Sequence, residues 1–202
     1  MFASDVLQAD VVHYVLCFIF YSFLGWLVES LYMSFCNRKI TNRGFAVSPF
    51  CPIYGFGAVV GNLVLQSLSG HLLLLYFAGA VLATIFEYLV AVIMNRLLGS
   101  VWWDYSEKPF NYKGVICLES TIAWGFYAII VVEYLNGFMM KMVSVIPFQT
   151  GILITSTVIL IYGIDFFYHF LDAVGLSGSY RNRVVKCKDI VVERYQRFRE
   201  RW

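Results

Sequence analysis

The chain has 202 residues, 60% of them hydrophobic and 14% charged, with a formal net charge of +2 and a mean hydropathy of +0.71. This balance excludes an ordinary water-soluble domain, whose apolar share is lower and whose charged share is higher. It also leaves no polar stretch long enough to fold as a separate soluble unit.

A membrane-crossing helix needs roughly 20 mostly apolar residues, and five stretches qualify: 12–35, 50–69, 72–97, 114–137 and 149–171. They predict an all-α membrane protein, a five-transmembrane-helix bundle over residues 1–175 with a basic tail over 176–202. The leading "MFASDVLQAD" is acidic where a secretory leader is basic, so the first stretch reads as a retained span. Fourteen of the fifteen Lys and Arg residues follow spans one, three and five, with Lys141 alone on the other side. The positive-inside rule then places the N-terminus outside and the C-terminus in the cytoplasm.

Span one carries Glu29, about 10 Å from its cytoplasmic end at the helical rise. The loop after it reads "NRGFAVSPFCPIYGFG" from residue 42. Pro49 and Pro52 suit an irregular helix start, where a missing amide donor costs little. Gly55, Gly57 and Gly61 form a smooth strip that admits a neighbouring helix or a ligand. Non-helical backbone at membrane depth is tolerated where it is buried in protein or lines a wet cavity. The loop therefore reads as a partly re-entrant entry to a cytoplasmic-side pocket with Arg43 at its mouth, and Arg43 is expected to pair with Glu29 or Glu87. A packing seam through Gly57-x-x-x-Gly61 accounts equally well for the glycines alone.

Span three carries Glu87. The loop after it, "GSVWWDYSEKPFNYKG", sets Asp104, Glu107 and Lys108 among aromatics of headgroup-belt type and is a candidate cap for the pocket. Spans four and five carry Glu119, Glu133 and Asp165, and Asp165, His169 and Asp172 share one helical face. Intramembrane carboxylates cost about 2.5–3.5 kcal/mol each at mid-span and default to a functional reading. Glu29, Glu87, Glu119 and Asp165 are assigned to one cytoplasmic-side layer. They are protonated, paired with rim cations such as Arg38, Arg43 or Lys113, or turned toward a cavity that takes a cation or a basic headgroup. Hydrogen bonding between spans through protonated Glu is the purely structural alternative.

The two halves carry similar marks. Glu29 precedes Asn37-Arg38 and Glu87 precedes Asn95-Arg96 by the same interval, and Asn42, Gly44 and Cys51 parallel Asn111, Gly114 and Cys117. Parallel repeats of helix pairs produce such a pattern in some transporters. Of the five cysteines, Cys36, Cys51, Cys117 and Cys187 fall toward the reducing side, so free thiols are expected. His13 and His71 are assigned to the opposite side, so no metal site is expected. In the tail, Val184, Val191, Tyr195, Phe198 and Trp202 make one apolar helical face opposite a basic one. An amphipathic helix on anionic lipid, a short dimerising coil and a purely topogenic tail all fit it.

The ordered set "GWLVES", "NRGFAVSPFCPIYGFG", "EYL", "WDYSEKPFNYKG" and "ICLESTIAWG" resembles the small bacterial membrane proteins of the Putative ABC-transporter type IV (CmpB-like) family over residues 18–135. The resemblance implies a permease-like subunit of a bacterial cytoplasmic (inner) membrane. The pocket residues assigned from the buried acids, the loops and this resemblance are Glu29, Asn42, Arg43, Cys51, Tyr54, Glu87, Asp104, Tyr105, Asn111, Glu119 and Asp165. No G-x-x-x-x-G-K-[ST] occurs, so any ATP-driven role needs a separate ATPase subunit; G-x-S-x-G and H-E-x-x-H are also absent. No catalytic residue, cofactor or nucleic-acid partner is assigned. The expected partners are the bilayer, anionic lipids at the tail, an ATPase and a second copy of the chain. The alternative function is a lipid-binding or lipid-modifying protein acting at the cytoplasmic headgroup level.

Overall fold

A computed structural model describes residues 2–98, 101 and 103–173. The amphipathic tail, Cys187 and the domain boundary at residue 175 lie outside the described residues. Helix α1 spans Phe2–Asn37. Helix α2 spans Pro52–Leu65 and tightens into a 3-10 turn at Gln66–Leu68. Helix α3 spans Leu72–Leu98. A two-stranded antiparallel hairpin, β1 (Asn111–Tyr112) and β2 (Ile116–Cys117), pairs Asn111 with Cys117. Helix α4 (Leu118–Ile129) continues through a π-helical segment, Ile130–Leu135, into α5 (Asn136–Ser144), and α6 spans Phe148–Ala173.

Among the described residues, four helical stretches are long and apolar enough to cross a membrane: Asp10–Cys36, Leu72–Leu97, Leu118–Ser144 and Phe148–Ala173. The apolar helix Pro52–Leu68 is shorter than these. The irregular residues before Pro52 take up the start of the predicted second stretch. Likewise 114–117 fold as hairpin, because Gly114 has φ +70° and closes a turn, and the fourth helix runs on to Ser144. Lys141 thus sits in the last turn of α5 instead of in a loop.

Large apolar side chains point outward from these helices, Val28, Leu31, Leu153, Leu160 and Ile164 among them, each more than 60% exposed. Water would penalise such a surface at about 25 cal/mol per Å², whereas hydrocarbon does not. All backbone groups inside a helix are satisfied locally, which makes these elements compatible with lipid.

Helix α1 lies against α2, α5 and α6, and α3 lies against α4. Leu16, Cys17 and Tyr21 of α1 meet Ala58, Val131, Met139 and Val143 in the main core. A second cluster joins Leu65, Leu75 and Ala128. Both clusters lie away from the loops 38–51 and 103–117, which share the other end of the bundle. Glu133, in the π-helical segment, accepts from the Gly70 amide at 2.7 Å and from Ser69 Oγ at 3.2 Å. That acid thereby fastens the turn between α2 and α3.

Candidate functional site: a cavity between the two helix pairs

The loop after α1 is pinned from several directions. Thr41 N donates to Ser34 Oγ at 2.9 Å, and Arg43 N donates to Ser30 Oγ at 3.2 Å. Asn42 Oδ1 accepts from Trp26 Nε1 at 2.6 Å and from Gly44 N at 2.9 Å, and Asn42 Nδ2 donates to Val47 O at 3.2 Å. Ser48 N donates to Asp165 Oδ2 at 2.8 Å, the Ser48 hydroxyl bonds the same oxygen, and His169 approaches Asp165 Oδ1 at 3.1 Å. Asp165 therefore ties the loop to α6. Cys51 is the N-cap of α2 and Pro52 its first residue, and the Cys51 amide donates to Ser22 O at 3.0 Å.

This anchoring delivers Arg43 to Glu29. Its Nε and Nη2 each lie 2.8 Å from Glu29 Oε1, and both side chains are about a quarter exposed. Tyr54, one turn into α2, donates its hydroxyl to Glu29 Oε2 at 3.0 Å. Gly25, one turn before Glu29, makes room for this: a Cβ there would overlap the Tyr54 ring. The glycines after Tyr54 divide between two neighbours. Gly55 abuts Phe18 and Ser22 of α1, whereas a Cβ on Gly61 would meet nothing within 4 Å. A helix-packing seam through Gly57 and Gly61 is therefore not what these residues form; both line a cavity.

The second loop is ordered by its own hydrogen bonds. Asp104 Oδ1 accepts from Ser106 N at 2.9 Å, Trp103 Nε1 donates to Val115 O at 2.7 Å, and Tyr105 N donates to Gly114 O at 2.8 Å. Asn111 donates to Lys108 O at 2.8 Å and accepts from Gly114 N at 3.1 Å. The Ser106 donors hold the Asp104 carboxyl below the usual carboxylate range. Burial, then the charge of Glu87, pushes the Tyr105 phenol up. Cys117 caps α4 in a capping box with Ser120.

The arrangement converges on Glu87, which is only 5% exposed. Its Oε1 accepts from Tyr105 Oη at 3.2 Å, and its Oε2 from Trp124 Nε1 at 3.1 Å and Ser120 Oγ at 3.3 Å. Trp124 also faces Tyr54, ring centroids 6.5 Å apart. A continuous file of Arg43, Glu29, Tyr54, Trp124, Glu87 and Tyr105 thus crosses from one helix pair to the other.

Beneath this file lies a cavity of about 660 Å³. Of the residues assigned from sequence, Glu29, Arg43, Cys51, Tyr54, Glu87, Asp104 and Tyr105 line it. Asn42 and Asn111 shape the two loops and are not in the lining. Glu119 pairs with Lys108 at 2.8 Å, both largely exposed, and Asp165 bonds Ser48, so these two of the four carboxylates do not line the cavity. Sequence reasoning assigned no pocket role to Trp124, which lines the cavity, or to Ser120, which bonds Glu87. Their signal is spacing, since they follow Cys117 by three and seven residues and so share its helical face.

The fold and this arrangement define a multi-pass helical membrane protein with a polar-headed internal cavity. A family model described as Putative ABC-transporter type IV matches residues 16–170, and the chain belongs to that family. No curated protein and no solved structure matches the chain.

Proposed function

We propose that this chain is a permease-like membrane subunit whose substrate path runs through the cavity between the α1–α2 and α3–α4 pairs. The observation that carries the reading is the convergence of Glu29 and Glu87, from two different helix pairs, on one cavity at the loop end of the bundle. Carboxylates at that depth are costly, and a path for a cationic or zwitterionic substrate gives that cost a use. Family membership supports a transport role and a separate ATPase subunit, since this chain lacks the phosphate-binding loop. In this reading α2 with its irregular entry serves as a fifth span. The excess of Lys and Arg after spans one, three and five supports a cytoplasmic-leaflet position, in a bacterial inner membrane, for the cavity's polar end. An anionic-lipid surface is the partner proposed for the tail, and a second copy of the chain is a further partner.

The test is thermal unfolding of the purified chain against a panel of small cations and zwitterions, followed by flux of the best ligand in proteoliposomes. Glu29→Ala and Glu87→Ala should abolish ligand-induced stabilisation, and Glu87→Gln should abolish flux. Stabilisation by the identified ligand that survives both alanine variants would sink the reading. A lipid-binding role without transport draws on the same cavity and is favoured by one observation, the apolar character of most of its wall.

A further inference from the structure

The cavity is divided chemically along its length. At the loop end stand Glu29, Arg43, Glu87 and Tyr105; away from it the lining turns to Gly57, Gly61, Leu65, Gly79, Ala83 and Val132. Glu87 and Gly79 are eight residues apart on α3, so the apolar part runs about 12 Å beyond the carboxylate at the helical rise. Gly61 keeps this part open, since a Cβ there would meet nothing within 4 Å, whereas Gly79 lets Ala128 of α4 pack closely against α3. Phe56 and Val60, also in the lining, are about half exposed, so the cavity reaches the apolar outer face of α2.

The two acids at the polar end differ in what remains for a ligand. Glu29 is matched by the Arg43 guanidinium. Among the described residues, the partners of Glu87 are Tyr105, Ser120 and Trp124, all neutral. An indole N–H only donates, so Glu87 Oε2 is held as an acceptor, and among the described residues no cation stands in the shell of this acid. Trp103, Tyr105 and Trp124 line the cavity around it. Aromatic faces around an anionic group are the surroundings that recognise ammonium and quaternary ammonium heads.

We propose that the cavity binds an amphiphile bearing an ammonium head, with the head on Glu87 among these aromatics and the alkyl chain along the wall of Gly57, Gly61, Gly79 and Ala83. The inference deepens the permease reading by naming its substrate class, and it rests on that reading only for the claim that the ligand moves. The side opening at Phe56 and Val60 lets a chain enter from the bilayer while the head stays at the loop end. A small inorganic cation would satisfy Glu87 and leave the apolar compartment unexplained; a neutral amphiphile would fill the compartment and leave the carboxylate without a counter-ion.

The test titrates the purified full chain, in a neutral maltoside detergent, with decyltrimethylammonium, tetramethylammonium or additional decyl maltoside, following the unfolding midpoint. Decyltrimethylammonium should stabilise saturably and at least tenfold more tightly than either control. Glu87→Gln should weaken it at least tenfold. Gly61→Leu, whose side chain enters open space in the apolar compartment, should shift the preference from decyl to hexyl chains. Equal affinity for tetramethylammonium, or unchanged affinity for the decyl probe in Glu87→Gln, overturns the proposal. If Glu87→Gln does not fold, an unaltered chain-length preference in Gly61→Leu overturns it alone. Nanodiscs of phosphatidylglycerol with and without phosphatidylethanolamine separate the sources: stabilisation by phosphatidylethanolamine that needs Glu87 assigns a membrane lipid, and stabilisation by the free probe only assigns a soluble amphiphile. Glu87-dependent binding without movement across proteoliposomes keeps this inference and removes the permease reading. Glu87-dependent flux of a small, chainless cation does the opposite.

Discussion

The α1–α2 and α3–α4 pairs solve the same construction problem with different charge accounting. Each places a glutamate on its first helix near the loop end. Each follows it with an asparagine that accepts a glycine amide, Asn42 from Gly44 and Asn111 from Gly114, and starts its second helix from an extended cysteine, Cys51 or Cys117. They part at the carboxylate. Glu29 holds an arginine and a tyrosine, while Glu87 holds a tyrosine, a serine and a tryptophan. One backbone plan therefore yields a settled ion pair that braces a loop and an acid whose shell is neutral and faces a cavity. In the proposed reading both acids border the path, the first braced by its arginine and the second open to a ligand.

The sharpest way to break this distinction is to remove the arginine. Arg43→Ala strands a partly buried carboxylate and should cost about 3 kcal/mol, the lower end of the range for breaking a buried pair. Lys39→Ala, on an exposed neighbour, should cost close to nothing. Combining Arg43→Ala with Glu29→Gln should recover part of the loss, because the unpaired charge disappears. Glu87→Gln preserves shape and hydrogen-bonding capacity, so its cost should stay under about 1 kcal/mol. Reversible unfolding in detergent measures all four. If Glu87→Gln proves as damaging as Arg43→Ala, the division of labour is wrong.

Glycines sharpen the comparison at the next level. Gly25→Val drives a branched side chain into the Tyr54 ring and should cost about 2 kcal/mol, typical of overpacking in a tight contact. Gly61→Ala meets open space and should be neutral or gain up to about 1 kcal/mol from helix propensity. Midpoints that move together in these two variants would mean that Gly61 is a packing position after all.

Much of this architecture is legible in the residues. The apolar stretches 72–97 and 149–171 match the helices Leu72–Leu98 and Phe148–Ala173 closely, whereas the first and fourth helices run well past one end of theirs; the placement of Pro52 at a helix start follows from its missing amide. The pairing of Arg43 was expected on Glu29 or Glu87 and falls on Glu29, because Ser30 and Asn42 hold the loop directly over α1. Glu119 and Asp165 stand outside the cavity lining because depth along a helix says nothing of azimuth. Glu119 lies in the first turn of α4, where Lys108 reaches it at the surface, and Asp165 faces the loop at Ser48. The extension of the fourth helix to Ser144 was missed because Lys141 and Asn136 weaken the apolar pattern without breaking the helix.

A smaller effect probes the shell of Glu87 itself. Trp124→Phe keeps the aromatic wall and deletes the indole donor at 3.1 Å, so it should cost about 1 kcal/mol, a typical net hydrogen bond. In the double variant with Glu87→Leu, whose side chain cannot accept the indole N–H, the two losses should not add, since they remove one contact. Additive losses in that cycle would mean that the indole acts through packing alone.

The smallest effect is a pH dependence at Tyr105, outside the spanning helices. Burial and the adjacent Glu87 raise its phenol above the ordinary range. The folded protein therefore holds that proton more tightly than the unfolded chain, whose tyrosines titrate near about 10. Its contribution is fully present below that pH and is lost as pH rises through and above it. Tyr105→Phe lacks the titrating group and the hydroxyl that donates to Glu87. The stability difference between wild type and Tyr105→Phe should accordingly hold steady from about pH 7 to 9 and shrink beyond about 10. The chain has 14 tyrosines, so the subtraction is what isolates this one. Denaturant midpoints measured in parallel for the two proteins supply it. A difference that stays constant through about pH 11 would show that the phenol is not held against the carboxylate, and Tyr105 would then be an aromatic wall residue with no part in the shell of Glu87.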